Sequence, residues 1–555
     1  MTVYDSTNLS KEDTIRLNEI AEKTKDQYAI TMDEYYMKYG VDPFWWFLPL
    51  ASRNVNFDDT FFKICLMLLI VERIQSGKYD SIITDKEDIK RTIELLSESR
   101  GFDIRVVLCR ESSSFRFWDK PLKRISGYIS KVNSWARTAY IENSLRSTIP
   151  NSISTLVWGP LLLNKITEKE YEDGYFPGLK DLCNEEFYYS PYLIYNTDEK
   201  WNAIIDKINA VDTYSFIHMR YYHRWYDLFY YIRYRRYCYK LKRKKYKWDD
   251  YDITPIICAS IKKGLHRSDC SYALMHYCAT KRLVCEIPIK KMILWYEARP
   301  VDLAISLAIR DTGRDVKRIG YIGYTISSNM LGQSPTKCQV DNSVVPEIIS
   351  TTGRYYERII KRYAPHQKTI IAPAFRTKSR KIKTCYNNRV NTIFVALTYF
   401  PSINRDMIFI LNDYFRRNAG CDIHVIVKMH PTFAGKQLRE FYNDTLYFEP
   451  EYTTKDIYDC LKDADVAFTA ATSASMDVIL SGTYLICLCY KGQLHFTCIA
   501  DEIGEDRYSI IFDIDDFDTA IDKAYDFNTT ETRSKLDPKD FFVQVNKDNF
   551  EELFA

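Results

Sequence analysis

Apolar and polar positions along the chain change their period several times, and each change marks an element. Phe61 to Ile74 is apolar with helical spacing, and Tyr79 to Asp85 is a short β-branched run that reads as a strand. A helix over Lys86–Arg100 and a strand over Ile104–Leu108 follow, and strand–helix–strand alternation predicts a parallel sheet. Further strands are expected at Thr155–Trp158, Ser215–His218, Lys290–Tyr296 and Arg318–Tyr324, with a helix over Pro300–Asp311. Beyond Arg376 the basic, aperiodic run Thr377–Lys383 reads as the start of a linker. After it the alternation is regular: strands over Asn391–Leu397, Asp422–Met429, Ala464–Thr469 and Thr483–Cys489, helices over Arg405–Asn418, Thr454–Asp463 and Ser473–Ser481. The expected organisation is a domain over 1–376 with helical insertions, a linker over 377–390, a doubly wound α/β domain over 391–537, and a tail over 538–555 with room for a short helix that crosses back.

Length supports the division, because 555 residues exceed what one hydrophobic core holds. Hydrophobic residues at 46% and charged residues at 27% are ordinary for a globular chain, and 18 Pro with 18 Gly exclude collagen-like or broadly disordered classes. A net charge of +3 leaves any basic surface local. The 15 cysteines show no repeated close pairing, and the gaps between Cys258, Cys270, Cys278 and Cys285 fit no zinc pattern, so reduced thiols and no metal are expected. Met1–Lys25 is polar, and the longest apolar run, Ile64–Val71, is too short to span a bilayer, which predicts a cytoplasmic protein.

In an open parallel sheet, chemistry collects outside the carboxyl ends of the strands. His430-Pro431 follows the strand ending Lys428-Met429; a histidine there can donate to a phosphate oxygen while Pro431 fixes the turn. Thr472 and Ser473 open a helix after the strand ending at Thr469, where free N–H groups and the helix dipole favour an anion. A plain helix cap is the simpler alternative. Asp477, one turn in, suits a ribose hydroxyl or is an exposed helix acid. Glu297 ends the Lys290–Tyr296 strand just before a helix, where a carboxylate acts as acid or base or merely complements the dipole.

The pairing of Lys428-Met429-His430-Pro431 with Thr472-Ser473 on successive strands resembles the C-terminal domain of GT-B glycosyltransferases that use CMP-activated sugars, such as sialyl- and Kdo transferases. Ile293–Pro300 with Arg318–Tyr324 is similar to the "strand–Glu–helix–GYxH" region of bacterial surface-carbohydrate biosynthesis proteins. Ile322-Gly323 stands where those proteins often carry a Gln-His or Ala-His. Asp42–Trp46 and Ser52-Arg53-Asn54 resemble the same group's N-terminal region, and Gly174–Leu179 and Tyr214–His218 do so more faintly.

The resemblance implies an α/β, GT-B-like fold: two Rossmann-like doubly wound domains facing a central cleft. It implies a glycosyltransferase moving a Kdo- or sialic-acid-like sugar from a CMP-sugar donor to a cell-surface glycan or lipid-linked acceptor. His430, Pro431, Lys428, Thr472 and Ser473 would hold the donor with Asp477 at its ribose, and Glu297 would act catalytically. Glycosyl transfer passes through an oxocarbenium-like state, so a second carboxylate is needed if stereochemistry is retained through a covalent intermediate; Asp406 is the candidate. No cofactor or metal is implied. A CDP-polyol phosphotransferase or a sugar epimerase would use the same fold, and a non-catalytic interaction protein is the alternative of another class, given the altered Gly320–Gly323 segment.

Arg220–Trp248 stands apart, with eleven Lys or Arg, one acid and twelve aromatic residues. That mixture suits an anionic membrane surface on the inner face of the cell membrane. A solvated helix with inward aromatics, or a strand of nucleic acid in a protein of another class, are the alternatives; no nucleic acid is expected.

Overall fold

The computed structural model describes residues 2–40, 42–109, 149–182, 187–193, 201–377, 383, 386–387, 389–433, 435–530 and 536–554. Of the expected linker, 378–382, 384–385 and 388 lie outside the described residues.

Three parallel sheets carry the chain. The smallest holds β1 (Val3–Asp5), β2 (Ser81–Thr84) and β3 (Arg105–Leu108) in the order β1-β2-β3. Here the strand–helix–strand unit forms as expected but builds a sheet of its own, separate from the main one. The main sheet of the first domain has seven strands: β4 (Ile153–Leu161), β5 (Phe187–Leu193), β6 (Ser215–Phe216), β7 (Ile289–Trp295), β8 (Lys317–Ile322), β9 (Ile348–Thr351) and β10 (Lys368–Ile371). Their spatial order is β10-β9-β8-β7-β4-β5-β6, all neighbours parallel. Chain order therefore reverses between β4 and β7.

The second domain repeats that winding. Its six strands are β11 (Thr392–Ala396), β12 (His424–Lys428), β13 (Pro450–Thr453), β14 (Val466–Ala470), β15 (Tyr484–Leu488) and β16 (Tyr508–Ile511). They lie in the order β13-β12-β11-β14-β15-β16, all parallel, so the reversal falls between β11 and β14. This is the strand order of a Rossmann domain. The expectation of two doubly wound, Rossmann-like domains is met. Strands β14 and β15 read as near-continuous apolar runs because both their faces are buried.

Helices missed by the sequence reading surround the first sheet. The longest, Lys11–Tyr39, is capped by Ser10, whose side chain accepts from the Asp13 N–H. Leu17, Ile20, Ala21, Tyr28, Met32 and Tyr35 make its buried stripe, and polar residues between them hide the period. The stripe joins Thr60–Gln75 and the helices Leu228–Leu241, Thr254–His266 and Ser268–Glu286 in the largest apolar cluster.

The basic segment divides by face. Tyr231, Tyr234, Cys238, Leu241, Tyr246 and Trp248 are buried, while Trp225 is 69% and Phe229 62% exposed. Its single acid, Asp227, is buried and pairs with Arg282.

The two domains share a core. Tyr296, Ala298 and Ile322 from the first pack in one cluster with Phe394, Ala396, Met476 and Cys489 from the second. Polar contacts clasp the same junction: the Gly492 N–H donates to Thr14 Oγ1 at 2.8 Å, the His495 N–H to Asn18 Oδ1 at 2.7 Å, and the Ser328 N–H to the Thr497 carbonyl at 2.9 Å. Lys383 is buried, its Nζ donating to the Ala464 carbonyl at 2.6 Å beside the Asp465 carboxylate at 3.3 Å. Lys383 is thus packed on the second domain.

After Asp537 the tail returns to the first domain. The Val543 N–H donates to the Thr352 carbonyl at 2.7 Å, the Ala374 N–H to the Val543 carbonyl at 2.9 Å, and Phe541 lies 5.3 Å from the Tyr355 ring. Phe550 and Leu553, on the helix Lys547–Phe554, complete a cluster with Val157, Ile293 and Trp295. Gly353 permits this crossing, because a Cβ there would strike the backbone of Asp540 and Phe541. Gly353→Ala should therefore destabilise the chain by about 1–3 kcal/mol, the usual cost of overpacking. Urea unfolding measures it, and an unchanged midpoint would mean the tail does not bind this face.

Candidate functional site

Each of the two larger sheets reverses its winding at one place, and a crevice opens there beyond the strand ends. In the second domain the crevice lies between β11 and β14. Thr469 Oγ1 donates to the Ala396 carbonyl at 2.9 Å and ties the two strands near their carboxyl ends. The chain leaving β11 is shaped by Asn404, whose side-chain oxygen accepts from the Thr398 N–H at 2.8 Å and whose Nδ2 donates to the Thr398 carbonyl at 3.0 Å. That clamp leaves Tyr399 and Phe400 exposed beside the crevice.

Thr472 and Ser473 follow β14 at the start of the helix Ala474–Ser481. Ser473 does not cap that helix, and neither hydroxyl makes a hydrogen bond among the described residues. The Ser475 hydroxyl, fully buried one residue into the helix, has no partner either. These hydroxyls stand by the helix's free N–H groups, an arrangement that favours an anion. Asp477 accepts from the Tyr458 hydroxyl at 2.6 Å, which turns one carboxylate oxygen toward the helix Ile457–Asp463.

His430 follows β12, next to β11. The Phe433 N–H donates to its carbonyl at 2.8 Å, closing the short turn that Pro431 opens, and its ring lies 5.7 Å from Tyr399. Burial and then the nearby Arg376 charge lower its pKa, so the neutral ring prevails near neutrality. Lys428 leans the other way: its Nζ donates to the Lys455 carbonyl at 2.6 Å, beyond β13. Asp406 sits in the helix Pro401–Arg417, where it accepts from the Tyr490 hydroxyl at 3.0 Å. No contact among the described residues links it with Glu297.

The first domain's crevice lies between β4 and β7, and Glu297 stands in it. The turn Tyr296–Arg299 is bent at Ala298, whose φ of 53° is a left-handed conformation uncommon for a residue with a side chain. Asp302 holds this turn. Its wholly buried carboxylate accepts from the Glu297 N–H at 3.0 Å, the Arg299 N–H at 2.9 Å and the Arg299 guanidinium at 3.0 Å. The guanidinium lies 5.1 Å over the Trp158 ring and 4.5 Å over Tyr192. Burial opposes the Arg299 charge, but Asp302, Tyr192 and Glu297 together outweigh it and the pKa lies well above the ordinary arginine value. Asn54 and Gln333 donate to the Glu297 carbonyl at 2.8 and 3.3 Å. The Glu297 carboxylate accepts from Trp295 Nε1 at 2.8 Å, lies 3.5 Å from Arg299 Nη1, and faces a cavity of about 320 Å³. A Cβ at Gly323 would lie 2.7 Å from the Trp295 ring and strike that of Tyr321, so a histidine there would require those rings to move.

Arg376 joins the two crevices. Its guanidinium lies 5.2 Å over the ring of Tyr175, which lines the Glu297 cavity, and its charge reaches His430. Arg376 thus relates the crevices of the two Rossmann-like domains, whose sheets are those of a GT-B-like fold. Sequence reasoning missed Arg376, Asp302, Tyr192 and Tyr399 as site residues. Asp302 had a readable signal, since Arg-Pro-x-Asp places an acid in the first turn of the helix it caps; the others acquire their positions only by folding. Among the described residues no group of three or more His, Cys, Asp or Glu is placed to hold a metal.

No protein-family model matches the chain, and no curated protein matches it. Solved structures similar to it include the glycotransferase of kitacinnamycin, at 10% identity and a TM-score of 0.36 over 73% of this chain and 94% of that one. The S. aureus MnaA–UDP complex matches at 8% identity and a TM-score of 0.39, over 72% and 95% of the two chains. The lipopolysaccharide outer core galactosyltransferase WaaB, in its apo form, matches at 8% and 0.37, over 72% and 98%. At such values the reading of the site rests on its own geometry.

The lowered pKa of His430 has a definite sign. The fold favours the neutral ring, so its contribution to stability is present above the ordinary histidine value of 6.5 and is lost as pH falls through the lowered one. Arg376→Gln should move the His430 titration upward, toward that ordinary value, in an NMR titration of the ring protons. An unmoved titration would place Arg376 away from His430.

Proposed function

We propose that this protein is a nucleotide-sugar-dependent glycosyltransferase whose donor lies in the second domain's crevice and whose acceptor lies in the first. The observation that carries this reading is the pair of switch points related by Arg376, with His430, Thr472 and Ser473 at one and Glu297 at the other. The helix start with Thr472 and Ser473 takes the donor phosphate, and His430 donates to it. Arg376 adds a cation from across the cleft, where charge builds as the glycosidic bond to phosphate breaks. In this reading Asp477 accepts from a ribose hydroxyl, and Tyr399 offers its ring to the base. Glu297, steadied by Trp295 and Arg299, accepts the proton of the attacking hydroxyl.

The donor in this proposal is CMP-activated and carries a Kdo- or sialic-acid-like sugar, on the strength of the His-Pro and Thr-Ser pair. CMP or CDP should raise the melting temperature more than UDP or GDP, because a ligand of the folded state alone stabilises it. His430→Ala, and Thr472→Ala with Ser473→Ala, should each weaken nucleotide binding by roughly 1–3 kcal/mol in calorimetry. Purine preference would overturn the CMP reading, and unchanged affinity in both variants would move the phosphate elsewhere.

The acceptor is a surface glycan carried near a membrane, reached through the segment Arg220–Trp248. What supports this is its exposed face. Trp225, Tyr226 and Phe229 are exposed there together with Arg233, Arg236, Lys240, Arg243, Lys244 and Lys245, and none of these cations has an ion pair among the described residues. Rings of this kind settle at headgroup depth, and each cation near anionic lipid contributes about 1 kcal/mol. Among the described residues no helix is long and apolar enough to cross a membrane, so the contact would be peripheral. The chain should pellet with phosphatidylglycerol vesicles and be released by salt. Replacing Lys242, Arg243, Lys244 and Lys245 with Gln should reduce pelleting severalfold. Equal pelleting of both proteins, or none of either, would end this part of the proposal.

A further inference from the structure

Resting on the transferase reading, we propose that the Glu297 cavity takes one uncharged, hydroxyl-rich sugar ring, the terminal residue of the acceptor, and turns away a carboxylated or phosphorylated one. The cavity is lined by four aromatic residues, Phe57, Tyr175, Tyr192 and Tyr272, by the carboxylates of Asp269 and Glu297, and by Arg299. At about 320 Å³ it is near the lower end of ligand pockets, which limits the length of what it encloses. A pyranose presents polarised C–H groups on its faces and hydroxyls around its rim. The C–H faces match the negative faces of aromatic rings, and the hydroxyls donate to carboxylates.

The charges around the cavity are already matched, and the balance is negative. Arg299 is wholly engaged with Asp302, Glu297, Trp158 and Tyr192. Arg267 donates to Asp269 at 2.7 Å and to the Phe57 carbonyl at 2.8 Å. Three carboxylates, Asp269, Glu297 and Asp302, thus face two guanidiniums, Arg267 and Arg299. A further cation, Arg376, lies over Tyr175 but is not among the residues that line the cavity, and its charge reaches His430. Among the lining residues an acidic sugar would meet two carboxylates and one guanidinium, Arg299, that Asp302 and Glu297 already engage, and such like-charge contact is how a site rejects a near-isostere. A consequence follows if the donor sugar is itself acidic: the enzyme does not extend the residue it has just added, so each transfer ends with a product this site refuses.

The test uses the full chain and methyl glycosides. Saturation-transfer NMR with competition titrations would compare the glycosides of glucose, galactose and N-acetylglucosamine with those of glucuronic and galacturonic acid. At least one neutral glycoside should bind tenfold or more tightly than the uronates. Tyr272→Ala, a substitution at the partly exposed cavity rim, should abolish that binding and leave the nucleotide-induced melting shift unchanged. Glu297→Gln should narrow the neutral-to-uronate ratio. Uronates binding as well as neutral glycosides, or no glycoside binding while nucleotide binding is intact, would overturn the proposal. Neutral glycosides binding without any nucleotide effect would instead overturn the transferase reading and leave the cavity's preference standing.

Discussion

The contact on which the site depends is the buried ion pair of Arg299 and Asp302. A carboxylate and a guanidinium removed from water are costly, and removing one partner of such a pair costs about 3–5 kcal/mol because the other charge is left behind. Here the cost is met by making each charge do several things. Asp302 accepts two backbone N–H groups from the turn as well as the guanidinium, and Arg299 lies against two aromatic rings that pack on each other. The strained turn at Ala298 is thereby over-determined: Asp302 fixes its N–H groups, and Asn54 and Gln333 fix the Glu297 carbonyl. Glu297 cannot drift, and its carboxylate is aimed by Trp295, a residue of the sheet itself.

The two crevices are built by one topological device and finished by different chemistry. Both sheets reverse their winding, so both present a gap between helices at the carboxyl ends of adjacent strands. In the second domain the gap is furnished with hydroxyls at a helix start and a histidine kept neutral by burial and a neighbouring cation, which suits an incoming anion. In the first it is furnished with aromatic rings and net negative charge, which suits a hydroxylated ring. Two domains with complementary crevices are useful only if held at a fixed separation. The shared apolar cluster, the clasp on residues 492–497 and the returning tail supply that constraint.

Much of the fold was legible because parallel strands buried on both faces are short apolar runs. β11, β12, β14 and β15 could be placed to within a few residues. Strands β9, β10 and β13 were not, since each has only four residues and carries Ser, Thr, Lys, Glu or Pro among its apolar positions. The long helix Lys11–Tyr39 escaped for a related reason: its buried face mixes Thr, Lys and Tyr with Leu and Ile, so its period is steric rather than hydrophobic.

For the site, the sequence alone determined the local facts. His430 precedes a proline at a strand end, hydroxyls open the helix at Thr472 and Ser473, and an acid at Glu297 closes a strand ahead of Arg-Pro-x-Asp. These follow from nearest neighbours and strand period, which the chain carries within a few residues. Only the tertiary structure decided which of them share a space. It set Arg376, remote in sequence from both, between Tyr175 and His430. It turned Lys428 toward β13 and paired Asp406 with Tyr490. It divided the aromatic residues of Arg220–Trp248 between core and surface. Such choices depend on contacts between residues tens to hundreds of positions apart, and no local pattern encodes them.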